Sequence, residues 1–502
     1  MIKSFSFNSI SKELNSRKLF IISICSMLGI GIFLKSKTLI ELSKGEYWPI
    51  FALFCISTCL IISMCWAFTR LVDKNTSSGR GFVEWVEKYC GTKFKNWVVG
   101  FTTKLLHPIG ILTTSIYLIK WVNEKGILGI WGICICAFLL SAVITSLNVF
   151  SFKGAVILQK VLSCFIFLSI LYTLGFGIHS FFARSGQGQS NGNQQEGAGL
   201  NKFGSWTVLM SGLPSIFFMY DGFYSVLSLK ERTRKETSFR KIVSLSFIAI
   251  TLIYFLVISV TLMADKKTGD FMNFQGLKTP HFKNILTVLI FLTFLSSLNV
   301  SSMCGQNQLV QLHYKYNFKE INSIRERFIK VKSVKYGLAS KLSVWIHLLG
   351  QMGGIALVAV FITQIMYWTQ SHNIEFLWTI NDTLAELNSL IIFGVLGIVL
   401  WNSRAGKKTN LFTSIGILIA FIYFLLNNVI SLFYSGSSAS GKNPSHFTTA
   451  LLKLLILGTL ITYPVLPQIK FKLKEWFAPK ATESKRFNKL NQEYSLVKIV
   501  ST

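Results

Sequence analysis

The sequence predicts an all-α integral membrane protein of twelve transmembrane helices, and three observations carry that prediction. The 502 residues are 51% hydrophobic and only 14% charged, where a soluble chain carries about a quarter charged residues, and the mean hydropathy is +0.50. Apolar runs of roughly 20 residues, long enough to cross a bilayer, recur along the chain. Lys and Arg fall on alternate connecting segments, 37 on one side of the predicted spans and 12 on the other. The positive-inside rule then places both termini in the cytoplasm of a plasma-membrane protein.

The predicted spans are 19–42, 48–69, 96–119, 127–148 and 154–181, then 205–229, 242–263, 285–312, 342–366 and 387–401, then 410–433 and 447–468. Residues 1–18 form a basic cytoplasmic N-terminus without a cleavable leader, so the first apolar run is expected to be retained. The stretch "SGQGQSNGNQQEGAGLNKFGS" is too polar to pack a core, and 182–204 is read as an extracellular linker. It separates a first five-helix unit, 19–181, from a second, 205–401; two more helices occupy 402–468 and a basic tail 469–502. An odd number of spans per unit inserts the second unit upside down relative to the first.

The formal charge of +30 belongs to these membrane-flanking segments, and no nucleic-acid partner is expected. The nine cysteines lie mostly within apolar runs, without metal-ligand spacing. No catalytic motif or Walker loop appears, so an enzyme is not expected, and no cofactor is called for. With no long soluble segment, function must be assembled from the helices, which points to moving a small molecule across the lipid bilayer.

Two spans are built to come apart. The first carries "GIGIF", Gly29 to Phe33, and the sixth carries "SGLPSIFFMYDGFYSVLSLKER", with Pro214 early and Asp221-Gly222 in an apolar stretch. In hydrocarbon, unpaired backbone groups are tolerated only where they are buried in protein or line a cavity. The N–H groups freed at a half-helix start attract an anion, and the C=O groups freed at a half-helix end attract a cation. An α-amino acid offers both charges on neighbouring atoms. Close helix contact accounts for Gly-x-Gly equally well taken alone, but an ionisable Asp221 in mid-span marks function by default. Interruptions at equivalent places in inverted repeats point to a transporter's binding site.

"GIGIF" followed by "FFMYDGF" resembles the amino acid–polyamine–organocation superfamily of transporters. "SSGRGFVEWVEKYCG", "LNVFSFKGAVILQ" and "SSLNVSSM" resemble its weaker motifs before the third span, entering the fifth and within the eighth. The resemblance implies a LeuT-like five-plus-five inverted repeat followed by two further helices, and alternating-access transport of amino acids or amines. Main-chain groups at Gly29, Ile30, Gly31 and Ile32 would hold the substrate carboxylate, and carbonyls near Phe218 and Met219 its amino group. Phe218 and Tyr220 would cover or gate it, beside Asp221 and Gly222. Ile30 stands where many members have Ser or Ala, and "KERTRKE" after the sixth span lacks the usual Asn-Pro.

Members couple to H+ or Na+, or exchange substrates. A sodium site would combine first-helix carbonyls with eighth-helix hydroxyls, with Ser296, Ser297, Ser301 and Ser302 as candidates that serve helix packing equally well. Lys160 is the nearest match to a coupling lysine on the fifth helix, and it also suits snorkelling to the interface. His107, before the kinking Pro108, is read as a proton relay or as a partner for backbone groups at the kink. Lys35 and Lys37 are expected at the membrane interface. Asp221 has three candidate roles: capping the break, recognising a cation, or carrying a proton. The alternative to transport is a transporter-like sensor that binds amino acids without moving them.

Overall fold

The computed structural model describes residues 14–42, 47–74, 81–123, 126–186, 212–234, 238–264, 280–316, 318–332, 336–369 and 375–403, with short stretches between 415 and 464. Among these residues every regular element is helical, apart from an isolated parallel bridge between Leu14 and Thr233.

The first span is split as its glycines predict. Helix α1 (Ser16–Met27) starts at Asn15, whose side chain accepts from the Lys18 N–H at 3.0 Å, a standard N-cap. It stops at Leu28-Gly29, and α2 (Ile30–Leu42) resumes. Next come α3 (Tyr47–Lys74) and the short α4 (Val83–Tyr89). Helix α5 (Thr92–Phe101) passes through a π-helical turn, Thr102–Leu106, into α6 (His107–Val122). Pro108 has no N–H to give the preceding turn, and the wide turn sits directly before it. Helices α7 (Ile130–Phe150) and α8 (Phe152–Gly186) complete the first half.

The sixth span is broken more severely. Helix α9 (Leu213–Met219) ends in a non-helical turn through Tyr220–Tyr224, and a 3₁₀ helix (Ser225–Arg232) follows. Beyond it lie α10 (Phe239–Ala264), α11 (Pro280–Tyr316), α12 (Lys319–Lys332), α13 (Tyr336–Thr369) and α14 (Glu375–Asn402).

Eight helical stretches among the described residues are long and apolar enough to cross a membrane, matching the predicted spans other than the second, sixth and last two. In α3 the described apolar part is the shorter Trp48–Ser63. Most of the predicted spans 410–433 and 447–468, all of the tail and nearly all of the 182–204 linker lie outside the described residues. Two boundaries are corrected. The tenth helix begins at Glu375, not 387: the charges of Asp382 and Glu386 read as loop, yet both lie on the helix and face Lys35. The basic stretch 313–341 is not a loop throughout, because α11 continues to Tyr316 and α12 follows, packed along α13.

Helix α11 runs through the centre, packed along α8 and α6, while α9 and α14 enclose the sixth-span break. Rings fill the space around that break. Phe217 stacks on Phe393 with centroids 5.0 Å apart, and Tyr220 stacks on Phe247 at 5.1 Å. Tyr254 of α10 sits between the two interruptions, its hydroxyl 2.6 Å from the Met27 carbonyl oxygen and 2.5 Å from that of Met219. The breaks pack so closely that side chains are excluded. A Cβ on Gly31 would lie 2.7 Å from Met219 Cα, and one on Gly222 would overlap the Ser26 carbonyl oxygen.

Two variants test this packing in detergent melts. Gly222 has φ +102°, so Gly222→Ala combines strain with overlap and is expected to cost about 2 kcal/mol or more. Tyr254→Phe removes the hydroxyl shared by the Met27 and Met219 carbonyls; Met27 keeps the Gly29 N–H while the Met219 carbonyl loses this donor, with an expected loss of about 1–3 kcal/mol. An unchanged melting temperature in either variant would contradict close packing at the junction.

Candidate functional site

The two interruptions face each other across a cavity of about 90 Å³. Its floor and sides come from Gly29 and Gly31 of the first break, and from Phe218, Asp221 and Gly222 of the second. Helix α6 adds His107, Thr113 and Thr114, α11 adds Ser297 and Ser301, and α14 adds Ala385 and Asn388. Five of the nine residues predicted to bind substrate therefore share one cavity wall.

The others are placed elsewhere. Ile32, Met219 and Tyr220 are fully buried and do not line the cavity, and Ile30 is the first residue of α2. The Met219 carbonyl is directed at Tyr254, not at the cavity. Tyr220 is a packing residue, its hydroxyl 3.0 Å from Thr58 Oγ1 and its ring enclosed by Phe247, Tyr254 and Phe54. Its side chain lies off the cavity lining, which the turn supplies through Asp221, Gly222 and Tyr224.

Asp221 caps its own turn. One carboxylate oxygen accepts from the Gly222 N–H at 2.8 Å, and the other accepts from Ser389 Oγ of α14 at 2.6 Å. The interrupted helix is thereby tied to α14 beside the cavity. His107 pairs through Nε2 with Gln308 Oε1 at 3.0 Å and packs flat on Gly305, where any side chain would collide with it.

The coupling candidates separate. Ser297 lines the cavity opposite Gly29, but Ser296 lies off it and accepts from Gln159 Nε2 at 2.6 Å. Lys160 is exposed, whereas Gln159, one residue and about 100° around the helix, is buried facing α11. The eighth-span and fifth-span motifs meet here. Asn299 donates to Gln159 Oε1 at 2.9 Å and to the Ala155 carbonyl at 3.0 Å, and it accepts from Asn148 Nδ2 at 3.1 Å. No group of three or more His, Cys, Asp or Glu side chains among the described residues could hold a metal ion.

Sequence reasoning missed the charged cluster beyond the cavity. Lys35 is buried, not interfacial, while Lys37 is exposed. The Lys35 ammonium lies 2.9 Å from Glu386 and 3.5 Å from Asp382 on α14, and 5.6 Å above the Phe218 ring. Tyr117 donates to Asp382, and Ser215 donates to Glu386 at 2.9 Å. The available signal was the helical spacing of Asp382 and Glu386, four apart; their partner Lys35 lies far away in sequence. At the opposite end, Arg232 Nε donates to Asn307 at 2.8 Å and its guanidinium covers the Phe152 ring at 3.9 Å.

Comparison with known proteins adds the family. The family model described as amino acid permease matches residues 14–313. The uncharacterized protein MG225 of Mycoplasma genitalium is 25% identical over 264 residues, 49% of this chain and 52% of that protein, so the aligned region spans about half of that relative's length. An uncharacterized protein of Mycoplasma pneumoniae is 21% identical over 449 residues, 78% of each chain. Among solved structures, a mutant manganese transporter of Eremococcus coleocola aligns over 93% of this chain and 99% of its own at 11% identity, with a TM-score of 0.49. The matched region contains both interrupted helices and the asparagine-bearing stretches of the fourth and eighth spans. The chain is a multi-pass membrane protein that belongs to the amino acid permease family.

Proposed function

We propose that the protein is a secondary active transporter of small amino acids or related amines across the plasma membrane, working by alternating access around its interrupted first and sixth helices. One observation carries this reading: the cavity opens between the two breaks, and its wall combines glycine main chain with the Asp221 carboxylate. The leading N–H groups of α2 lack partners within their own helix and suit a carboxylate. Asp221 suits the ammonium. A cavity of about 150 Å³ holds a benzene ring, so 90 Å³ matches a substrate of only a few heavy atoms.

In this reading the chain has twelve spans, five plus five inverted and two more, with both termini cytoplasmic. The Lys35–Asp382–Glu386 cluster then closes the outer side, and Arg232 with Asn307 and Phe152 closes the inner side. Alternating access opens them in turn. Coupling runs through a proton on Asp221 or His107, or a sodium ion near Ser297, or is replaced by exchange.

Proteoliposome uptake tests the proposal, using labelled glycine, alanine, serine and larger amino acids with and without imposed pH and sodium gradients. Saturable uptake of small members is expected; saturable binding with neither uptake nor exchange would instead support a sensor. Asp221→Asn is expected to cut uptake at least tenfold and to change its pH dependence, and full retention of both removes Asp221 from the mechanism. Lys35→Met leaves the two carboxylates without their lysine and is expected to lower stability by about 2–4 kcal/mol. The triple variant with Asp382→Asn and Glu386→Gln should recover much of that loss in thermal unfolding, and no recovery would mean that charge pairing is not the cause.

A further inference from the structure

Asn388 is the cavity residue whose hydrogen bonding is left half complete. It lies on α14, is 4% exposed and lines the cavity. Its Nδ2 donates to the Leu106 carbonyl oxygen at 3.3 Å, and that bond assigns the two ends of the amide, which leaves Oδ1 as the acceptor end. Oδ1 is buried without a hydrogen-bond partner among the described residues. The adjoining α6 wall is also made of acceptors. Thr113 and Thr114 already donate their hydroxyl protons to the Ile109 and Gly110 carbonyls at 2.8 and 2.7 Å, so they present oxygen lone pairs. Among the described residues, no Lys or Arg lines the cavity.

We propose that Asn388 reads the substrate's side chain: its carbonyl oxygen accepts a hydrogen bond from a hydroxyl or amide donor there. The preferred substrates are then small amino acids with donor-bearing side chains, over apolar ones of equal size. This rests on the amino-acid reading above, in which the α-carboxyl and α-amino groups are held at the helix breaks and the side chain faces α6 and α14. A site built to receive a donor discriminates against the analogue that lacks it, because the buried acceptor is then left unmatched.

Asn381, two turns earlier on the same helix, separates this role from a purely structural one. Its Nδ2 donates to the Thr113 carbonyl at 3.3 Å, and its Oδ1 is likewise without a partner among the described residues, but it does not line the cavity. Both asparagines clamp α14 to α6. Asn388 alone of the two also faces a ligand.

The experiment measures competition for uptake in proteoliposomes by near-isosteric pairs: serine against alanine, threonine against valine, asparagine against leucine. Wild type is expected to prefer the donor-bearing member by about tenfold or more. Asn388→Leu should reduce that ratio to within about twofold, and Asn388→Asp, which keeps an acceptor but loses the clamp, should retain it. Asn381→Leu should leave the ratio unchanged. If Asn388→Leu and Asn388→Asp depress uptake of both pair members equally with the ratio unmoved, the residue is only a clamp and the proposal is overturned. Should Asn388→Leu fail to fold, thermal stabilisation of wild type by threonine and valine reads the same preference, and equal shifts overturn it. Failure of wild type to bind or take up any amino acid overturns the underlying substrate reading, whereas binding without preference within the pairs overturns the role of Asn388 alone.

Discussion

The Tyr254 hydroxyl, placed between the Met27 and Met219 carbonyl oxygens, is the contact on which the rest of the site depends. A helix stopped inside an apolar bundle exposes polar backbone that has no water to turn to. Most of the local groups here satisfy one another. The Leu28 N–H reaches Ile24, Gly29 reaches Met27, Tyr220 reaches Ile216 and Phe217, and Asp221 reaches Phe218. Tyr254 completes this set by giving one phenol to both helix ends, which fixes the distance between the breaks. Glycine at positions 31 and 222 then lets the two backbones touch. What remains for a ligand is the small volume that this junction holds open.

Burial of Lys35 follows from the same arrangement. Because α2 restarts beside α9 and α14, its second turn is enclosed by protein, and a desolvated ammonium there requires opposite charge close by. Asp382 and Glu386 supply it from one face of α14, and each is oriented by a hydroxyl from another helix, Tyr117 or Ser215. Phe218 lies between this cluster and the cavity, with the Lys35 ammonium over its ring. The charged layer and the cavity wall thus share a side chain.

Patterns local to one segment are legible in the sequence. The breaks at Gly29 and at Asp221-Gly222 can be read because paired glycines and a carboxylate are each costly in the middle of a membrane span, and both reach the cavity. Patterns that depend on distant partners are not legible. Asp382 and Glu386 read as loop residues, since nothing near them in sequence reveals Lys35, and the tenth helix is therefore expected to start too late. Lys160 stands out over Gln159 by chemical type alone, while the angular position of the residue on α8 decides which side chain turns inward. Tyr220 falls over the substrate only if the helix continues through a turn that in fact sends it toward Phe247. Asn388 carries no sequence signal of its own: an asparagine in a span is ambiguous until its amide donor is seen on the Leu106 carbonyl.

Helix α14 joins these layers into one mechanical element. Asp382, Glu386 and Ser389 recur at three- and four-residue spacing, which puts them along one face. In order along that face they meet Lys35, then meet Lys35 and Ser215, then meet the Asp221 carboxylate. Asn381 and Asn388 occupy the adjoining face and hold α6 and the turn before it at matching intervals, through the Thr113 and Leu106 carbonyls. Helix α14 is a stiff rod fastened to both interrupted spans and to the kinked α6. A displacement that separates Asp382 and Glu386 from Lys35 also shifts Ser389 against Asp221 and Asn388 against the cavity. In the proposed transport cycle, opening at the charged end and rearrangement of the cavity wall would therefore be coupled through one helix, with no chain of intermediate side chains needed to connect them.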